Sequence, residues 1–347
     1  MKYYEMSLKY AAISGDAIYI LCDPIPYIIE IDICTKDIRK KIICPEKINP
    51  EGELFSGIYV ENDKLALVPL CAKNLWIYDL KNDMWDKIDI SKHVTTETKY
   101  KFYGGQMKSS TLYMYGYDYK GILSIDIETY EMYEILENGD KSGGFKGVST
   151  VIKGNDLYIP RRDKNELIMI DINTRQYKLK NLNIRTHEDN DGIAYDGSSF
   201  FVLKNSGNVL YKFDEEFLNV EELYFDNFFD SIKNFFWGIE CFDKKIFFYG
   251  PNRCGYIFDL ENKKKSHIIN DNIFYVKKLN NSSILLLKKG TIEIWDTKMQ
   301  DTFKIQVKFY KEELQDCLKN INVVGRVCLE NDIFGLEELI GLISNYS

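Results

Sequence analysis

Seven times along this chain an apolar run ends in an aspartate: Asp32, Asp79, Asp126, Asp171, Asp214, Asp259 and Asp296, separated by 47, 47, 45, 43, 45 and 37 residues. Self-similarity at a period near 45 predicts one supersecondary unit copied end to end, each copy burying its faces against its neighbours. The third copy shows the unit clearly. Thr111-Leu-Tyr-Met-Tyr115, Ile122-Leu-Ser-Ile-Asp126 and Met132-Tyr-Glu-Ile135 are of strand length, and Gly104 and Gly105 sit in an earlier run. The runs are rich in Ile, Leu and Tyr and are broken by Gly, Asn, Asp or Lys clusters, the pattern of short antiparallel strands joined by tight turns.

The second run of each copy is the most apolar, as in Ala17-Ile-Tyr-Ile-Leu21, Lys64-Leu-Ala-Leu-Val68 and Ser199-Phe-Phe-Val-Leu203. A strand covered on both faces has no solvent side, so it reads as a continuous apolar run, whereas an outer strand alternates. The fourth runs are wetter, as in Asp37-Ile-Arg-Lys-Lys-Ile42 and Gln176-Tyr-Lys-Leu-Lys-Asn181. The sequence therefore predicts an all-β, seven-bladed β-propeller of four-stranded antiparallel blades, with strands a to d running from the axis outward. The blades fall at about 5–43, 55–90, 102–136, 147–181, 192–225, 238–269 and 273–308, within one domain over 1–308. Each copy has its own strands a and d, so the ring is expected to close blade against blade without an exchanged strand. The alternative is an extra outer strand over 2–6.

Three features extend the reading: glycine after strand b (Gly116, Gly250); a Tyr/Ile-Asp followed by Thr or Asn (Tyr78-Asp-Leu-Lys-Asn82, Ile125-Asp-Ile-Glu-Thr129, Ile170-Asp-Ile-Asn-Thr174); and an aromatic at Trp85. In these the chain resembles the kelch family of β-propellers over residues 5 to about 308, and its last copy ends Ile294-Trp-Asp296 in the manner of WD repeats. The resemblance implies a propeller fold. It also implies an enzyme alternative, because some kelch-like propellers are sugar epimerases or mutarotases; Glu188 or Asp191 with Arg161 would serve here.

Size and charge limit the partners. The repeats tile 347 residues without a linker, and a formal charge of −8 argues against nucleic acid, whose phosphates need a basic surface. No run approaches the apolar length of a membrane helix, and residues 1–10 do not read as a signal peptide, so a cytoplasmic protein is expected. Eight scattered cysteines without a Cys-x-x-Cys pair read as reduced, mostly buried thiols. No cofactor and no metal is expected. Only His93, His187 and His267 occur, in three different inter-blade regions, and His187-Glu-Asp-Asn-Asp-Gly192 reads as a solvated turn.

In a propeller the d–a and b–c loops share one rim at the mouth of the axial channel, where ligands bind. Strand a there begins with aromatic-x-Gly: Phe55-Ser-Gly57, Phe102-Tyr-Gly104, Phe145-Lys-Gly147 and Phe236-Trp237-Gly238. Either these rings pack between blades while glycine relieves crowding, or they line the mouth and stack on a ligand. The b–c loops of copies three to six hold Tyr117, Tyr119, Lys120, Arg161, Arg162, Lys164, Lys204 and Arg253, a basic sector suited to carboxylate or phosphate. The favoured reading is a non-catalytic recognition or assembly module binding a protein or peptide, acidic in character. Without a catalytic motif the enzyme question stays open at this point.

After Val307 the spacing turns helical, with Leu314, Cys317, Leu318 and Ile321, then Leu336, Leu339, Ile340 and Ile343. A short α-helical extension over 309–347 is expected, docking on the propeller itself or on a partner.

Overall fold

The computed structural model describes residues 3–4, 6–23, 25–46, 53–95, 97–136, 145, 149–161, 164–184, 190–204, 209–224, 238–250, 254–262, 264–280, 282–296 and 302–310. They form a seven-bladed β-propeller: seven antiparallel sheets, each of four consecutive strands in the order a-b-c-d. The blades span 7–43, 55–88, 102–136, 151–181, 190–224, 238–272 and 275–306. Neighbouring a strands touch around the ring, for example Ser7–Ser14 with Phe55–Glu61 and Gly238–Phe242 with Tyr275–Lys278. Strand a is therefore innermost. The helical extension expected over 309–347 lies outside the described residues from 311 onward, and Phe309–Tyr310 is a strand.

Seven hydrophobic clusters fill the seven seams between blades. Strand b supplies most of each, because its alternate residues face opposite neighbours. In blade three Leu112 and Met114 join the core shared with blade two, while Tyr113 and Tyr115 join that shared with blade four. In blade five Phe200 and Val202 face blade four, and Phe201 and Leu203 face blade six. These residues are almost fully buried. Burial on both faces is the physical reason strand b reads apolar throughout.

The recurring aspartate builds the c–d turn. Asp32 Oδ1 accepts the amides of Cys34 and Thr35 at 2.7 and 2.8 Å. The same pair of bonds recurs at Asp79, Asp126, Asp171 and Asp259. Four residues on, the chain turns left-handed at Lys36, Asp83, Tyr130 and Arg175, with φ of 67°, 58°, 63° and 59°. The carboxylate thus satisfies two turn amides that water would otherwise hold, so the repeat is architectural.

The ring closes without an exchanged strand. Blades one and seven are each complete, and their seam packs Met6, Leu8, Ile18, Ile20 and Tyr27 against Leu285, Leu287, Ile292, Val307 and Phe309. Tyr3–Tyr4 pairs antiparallel with Phe309–Tyr310 as a separate two-stranded ribbon, so the N-terminal segment does not extend a blade.

Candidate functional site

At the axis, glycines of strand a make room for tyrosines of strand b. A Cβ at Gly104 would stand 2.8 Å from the Tyr115 hydroxyl, and one at Gly238 would stand 2.5 Å from that of Tyr249. The Tyr115 hydroxyl donates to Gly105 O at 3.1 Å, and that of Tyr59 accepts the Gly105 amide at 2.9 Å. The Tyr275 ring lies 5.6 Å from Tyr249 and 5.8 Å from Tyr10. Ser149 Oγ, ahead of strand a in blade four, accepts the amides of Ile193 in blade five and Ile239 in blade six, at 3.1 and 3.3 Å. One side chain thus ties together the inner ends of three blades. Burial pushes the phenols of Tyr59, Tyr115, Tyr249 and Tyr275 up, so these hydroxyls stay neutral. Burial also pushes the Glu240 carboxyl up, with Lys277 opposing.

The sequence-predicted residues divide into three groups. Tyr117, Tyr119 and Lys120 come together on the b–c loop of blade three. Tyr119 is buried against Phe102, the rings 5.5 Å apart. Tyr117 is half-buried and stacks on Tyr103 at 5.2 Å, and Lys120 Nζ donates to Tyr117 O at 3.0 Å. Arg161 and Lys204 meet one loop, 164–166: Arg161 pairs with Glu166 at 3.0 Å and Lys204 Nζ donates to Asn165 Oδ1 at 2.5 Å. Both cations are buried, 5% and 2% exposed, so neither presents a charged rim to solvent. Phe55, Phe102 and Phe145 are buried in the seams of blades one and two, two and three, and three and four. Arg162, Arg253, Phe236 and Trp237 lie outside the described residues.

A sequence signal marks the buried cations. Aligned by the ladder between strands b and c, Arg161, Lys204 and Lys288 occupy one repeat position, which holds Cys22, Pro69, Gly116 and Gly250 in the other blades. Small or apolar residues at an equivalent position indicate an interior site. Lys288 is likewise buried and pairs with Glu293 at 2.9 Å.

A cleft of about 680 Å³ opens on the opposite face, where the a–b and c–d turns lie, between blades four and five. Its size falls in the range of ligand sites. Tyr158, Met169 and Phe217 form the floor, Lys153, Lys178 and Lys180 one side, and Glu215 and Glu216 the other. Lys153 Nζ pairs with Glu215 at 3.0 Å and sits 5.5 Å from the Tyr195 ring centre. The Tyr195 hydroxyl donates to Glu215; this bond and Lys153 hold the Glu215 carboxyl below its usual range, and the same bond pushes Tyr195 up to about 12.

The floor owes its shape to a departure from the repeat. In blade five the left-handed residue is Phe217, φ 56°, three residues after Asp214 rather than four. Asp214 binds the amides of Leu218 and Asn219 instead, and Phe217 folds inward to stack on Phe200 at 4.6 Å. The sequence carries a signal for this: the turns of blades one to four and six have Thr or Asn at the third position after the aspartate, whereas blade five has Phe217 there and Asn219 two places later. Asn219 Nδ2 donates to Asp214 Oδ2 at 2.6 Å.

A second cleft of about 410 Å³ opens on the same face between the turns of blades five and six, around Tyr195, Ser198, Phe242 and Lys278. Among the described residues no group of three or more His, Cys, Asp or Glu is placed to hold a metal ion. Cys22, Cys44, Cys71, Cys241 and Cys34 are free thiols, the first three buried, Cys241 half-buried and Cys34 exposed. No helix of the described residues is long and apolar enough to cross a membrane.

No protein-family model matches the chain, and no curated protein matches it in sequence. Among solved structures it is similar to the crystal structure of the computationally designed Ika8 protein, with a TM-score of 0.57 and 11% identity over 88% of this chain and 89% of that one. At such identity the likeness carries the fold alone.

Proposed function

We propose that this protein is a non-catalytic recognition module of the kelch-like kind, working in the cytoplasm and docking a protein or peptide segment on its surface. The crowding of the axis supports this reading. A propeller enzyme binds its substrate at a channel mouth faced by an acid and a base, whereas here tyrosine rings and Ser149 are engaged in holding the inner strands to one another. Two surfaces remain for a partner: the b–c loop with Tyr117 and Lys120, and the cleft between blades four and five. We place the partner at the cleft, whose aromatic floor and charged walls suit a peptide with both apolar and charged side chains.

The test is capture from native cells with the intact chain, followed by lysine cross-linking. The expected result is a protein partner in stoichiometric yield, cross-linked at Lys153, Lys178 or Lys180. Cross-links confined to Lys120 would move the site to the rim. Absence of any partner, together with turnover of an anionic sugar by the purified chain, would overturn the reading in favour of an enzyme.

A further inference from the structure

Strand d of blade four, Tyr177–Asn181, is the last strand of its sheet and pairs only with strand c. Lys178 and Lys180 lie opposite Met169 and Leu167, which belong to the core shared with blade five, so both lysines stand on the cleft side. Tyr177 and Leu179 lie opposite Ile170 and Ile168 of the other seam and are 43% and 51% exposed.

The main chain fixes which groups point outward. The Asp171 amide donates to Gln176 O at 2.9 Å. Alternation along an antiparallel ladder then turns the polar groups of Lys178 and Lys180 toward strand c, leaving those of Tyr177, Leu179 and Asn181 facing out. This edge also differs in its charges from the outer strands of blades one, three and seven. In blade one Arg39 pairs with Asp16 and Asp32, and Lys40 pairs with Asp83. In blade three Glu134 pairs with His93, and in blade seven Lys304 pairs with Glu293. Among the described residues the Lys178 and Lys180 side chains make no ion pair and no hydrogen bond; Lys178 acts on Asp171 only at longer range. Two such cations at alternate positions of an open strand stand about 7 Å apart, the spacing of alternate side chains on any added strand.

We propose that this edge of blade four receives an extended segment of a partner protein by strand addition, with acidic side chains opposite Lys178 and Lys180 and apolar ones over Tyr177 and Leu179. Opposite charges across the new pair set register, and the outward main-chain groups supply the hydrogen bonds. The site presupposes the recognition role proposed above.

The probe is a fluorescein-labelled decapeptide of alternating glutamate and valine, with binding read by anisotropy at low salt. Binding is expected, weakened at least about tenfold in Lys178→Glu/Lys180→Glu, a loss of about 1.4 kcal/mol or more. The double variant should instead bind a lysine–valine peptide, which also shows that it is folded. N-methylation of alternate residues should abolish binding in one phase and spare it in the other. No binding, equal binding of both peptides by the native chain, or indifference to N-methylation in both phases would overturn the proposal. A partner captured equally by the native chain and the double variant would sink this site and leave the recognition role standing. Turnover of an anionic sugar with no captured partner would sink the recognition role, and with it this edge as a partner site, whatever the peptides do.

Discussion

Ser149 Oγ lies 3.3 Å from the amide of Ile239, a residue 90 positions along the chain and two blades away. The same oxygen accepts the Ile193 amide, so one hydroxyl satisfies two buried donors. Ser149→Ala should leave both unpaired, at about 1–3 kcal/mol each, lowering the urea midpoint. Gly192→Ala should be destabilising too, because its Cβ would stand 2.3 Å from Ser149 Oγ. In the Ser149→Ala background that penalty should shrink, since the clashing atom is gone. Strict additivity of the two changes would mean the contact does not exist in solution.

Why some of this was legible in sequence and some was not follows from what each residue answers to. Asp32, Asp79, Asp126 and Asp171 answer to local turn amides, and the strand b residues answer to burial on both sides; both leave periodic marks. In sequence Arg161 and Lys204 read as part of a basic sector on the loop rim, open to an anionic ligand, because charge normally tracks exposure. Their burial depends on Glu166 and Asn165, partners in a loop whose approach no periodicity encodes. The cleft was missed for a related reason. It arises from one turn that moves its left-handed residue one place without changing length, since the Asp214 amide still reaches the residue five positions on, as it does at Asp171.

Glu293 is 3% exposed and sits between Lys288 at 2.9 Å and Lys304 at 2.8 Å. Burial alone would raise its carboxyl, but hydrogen bonds from the two lysines outweigh it and hold the group below its usual range. A folded-state value lower than the unfolded one gives stability that is present above about pH 4.3 and is lost as pH falls through the folded value. Glu293→Gln should therefore flatten the acid limb of a stability–pH curve. At neutral pH it should cost about 3 kcal/mol, because the buried Lys288 would lose the Glu293 carboxylate 2.9 Å away. An acid limb unchanged by the substitution would show that Glu293 is not the group responsible.

Phe309 is fully buried in the seam of blades one and seven, with its ring 5.1 Å from Tyr27 and Lys41 Nζ 4.8 Å above it. In a ring closed without strand exchange, this seam is held by packing and by the ribbon to Tyr3–Tyr4. Phe309→Ala should cost about 3 kcal/mol, and a chain ended after Lys308 should lose at least as much. Hydrogen exchange should then rise first in blades one and seven. Uniform exchange in all blades would show that the seam is not the weak point of the ring.

Phe217 tests the floor of the cleft. Its left-handed backbone, φ 56°, is costly for a bulky residue, yet its ring is 3% exposed and stacks on Phe200 and Phe213. The aromatic packing outweighs the strain. Phe217→Ala should lose the packing and keep the strain, costing about 3 kcal/mol or more. Phe217→Gly removes the same ring but adopts the left-handed turn freely, so it should be less destabilising than the alanine variant by about 1 kcal/mol. That order reverses the usual preference for alanine over glycine. It holds only if the turn keeps its hand after the ring is removed. Glycine proving worse than alanine would mean that Phe217 packing, rather than the Asp214 and Asn219 bonds, sets the backbone of this turn and hence the depth of the cleft.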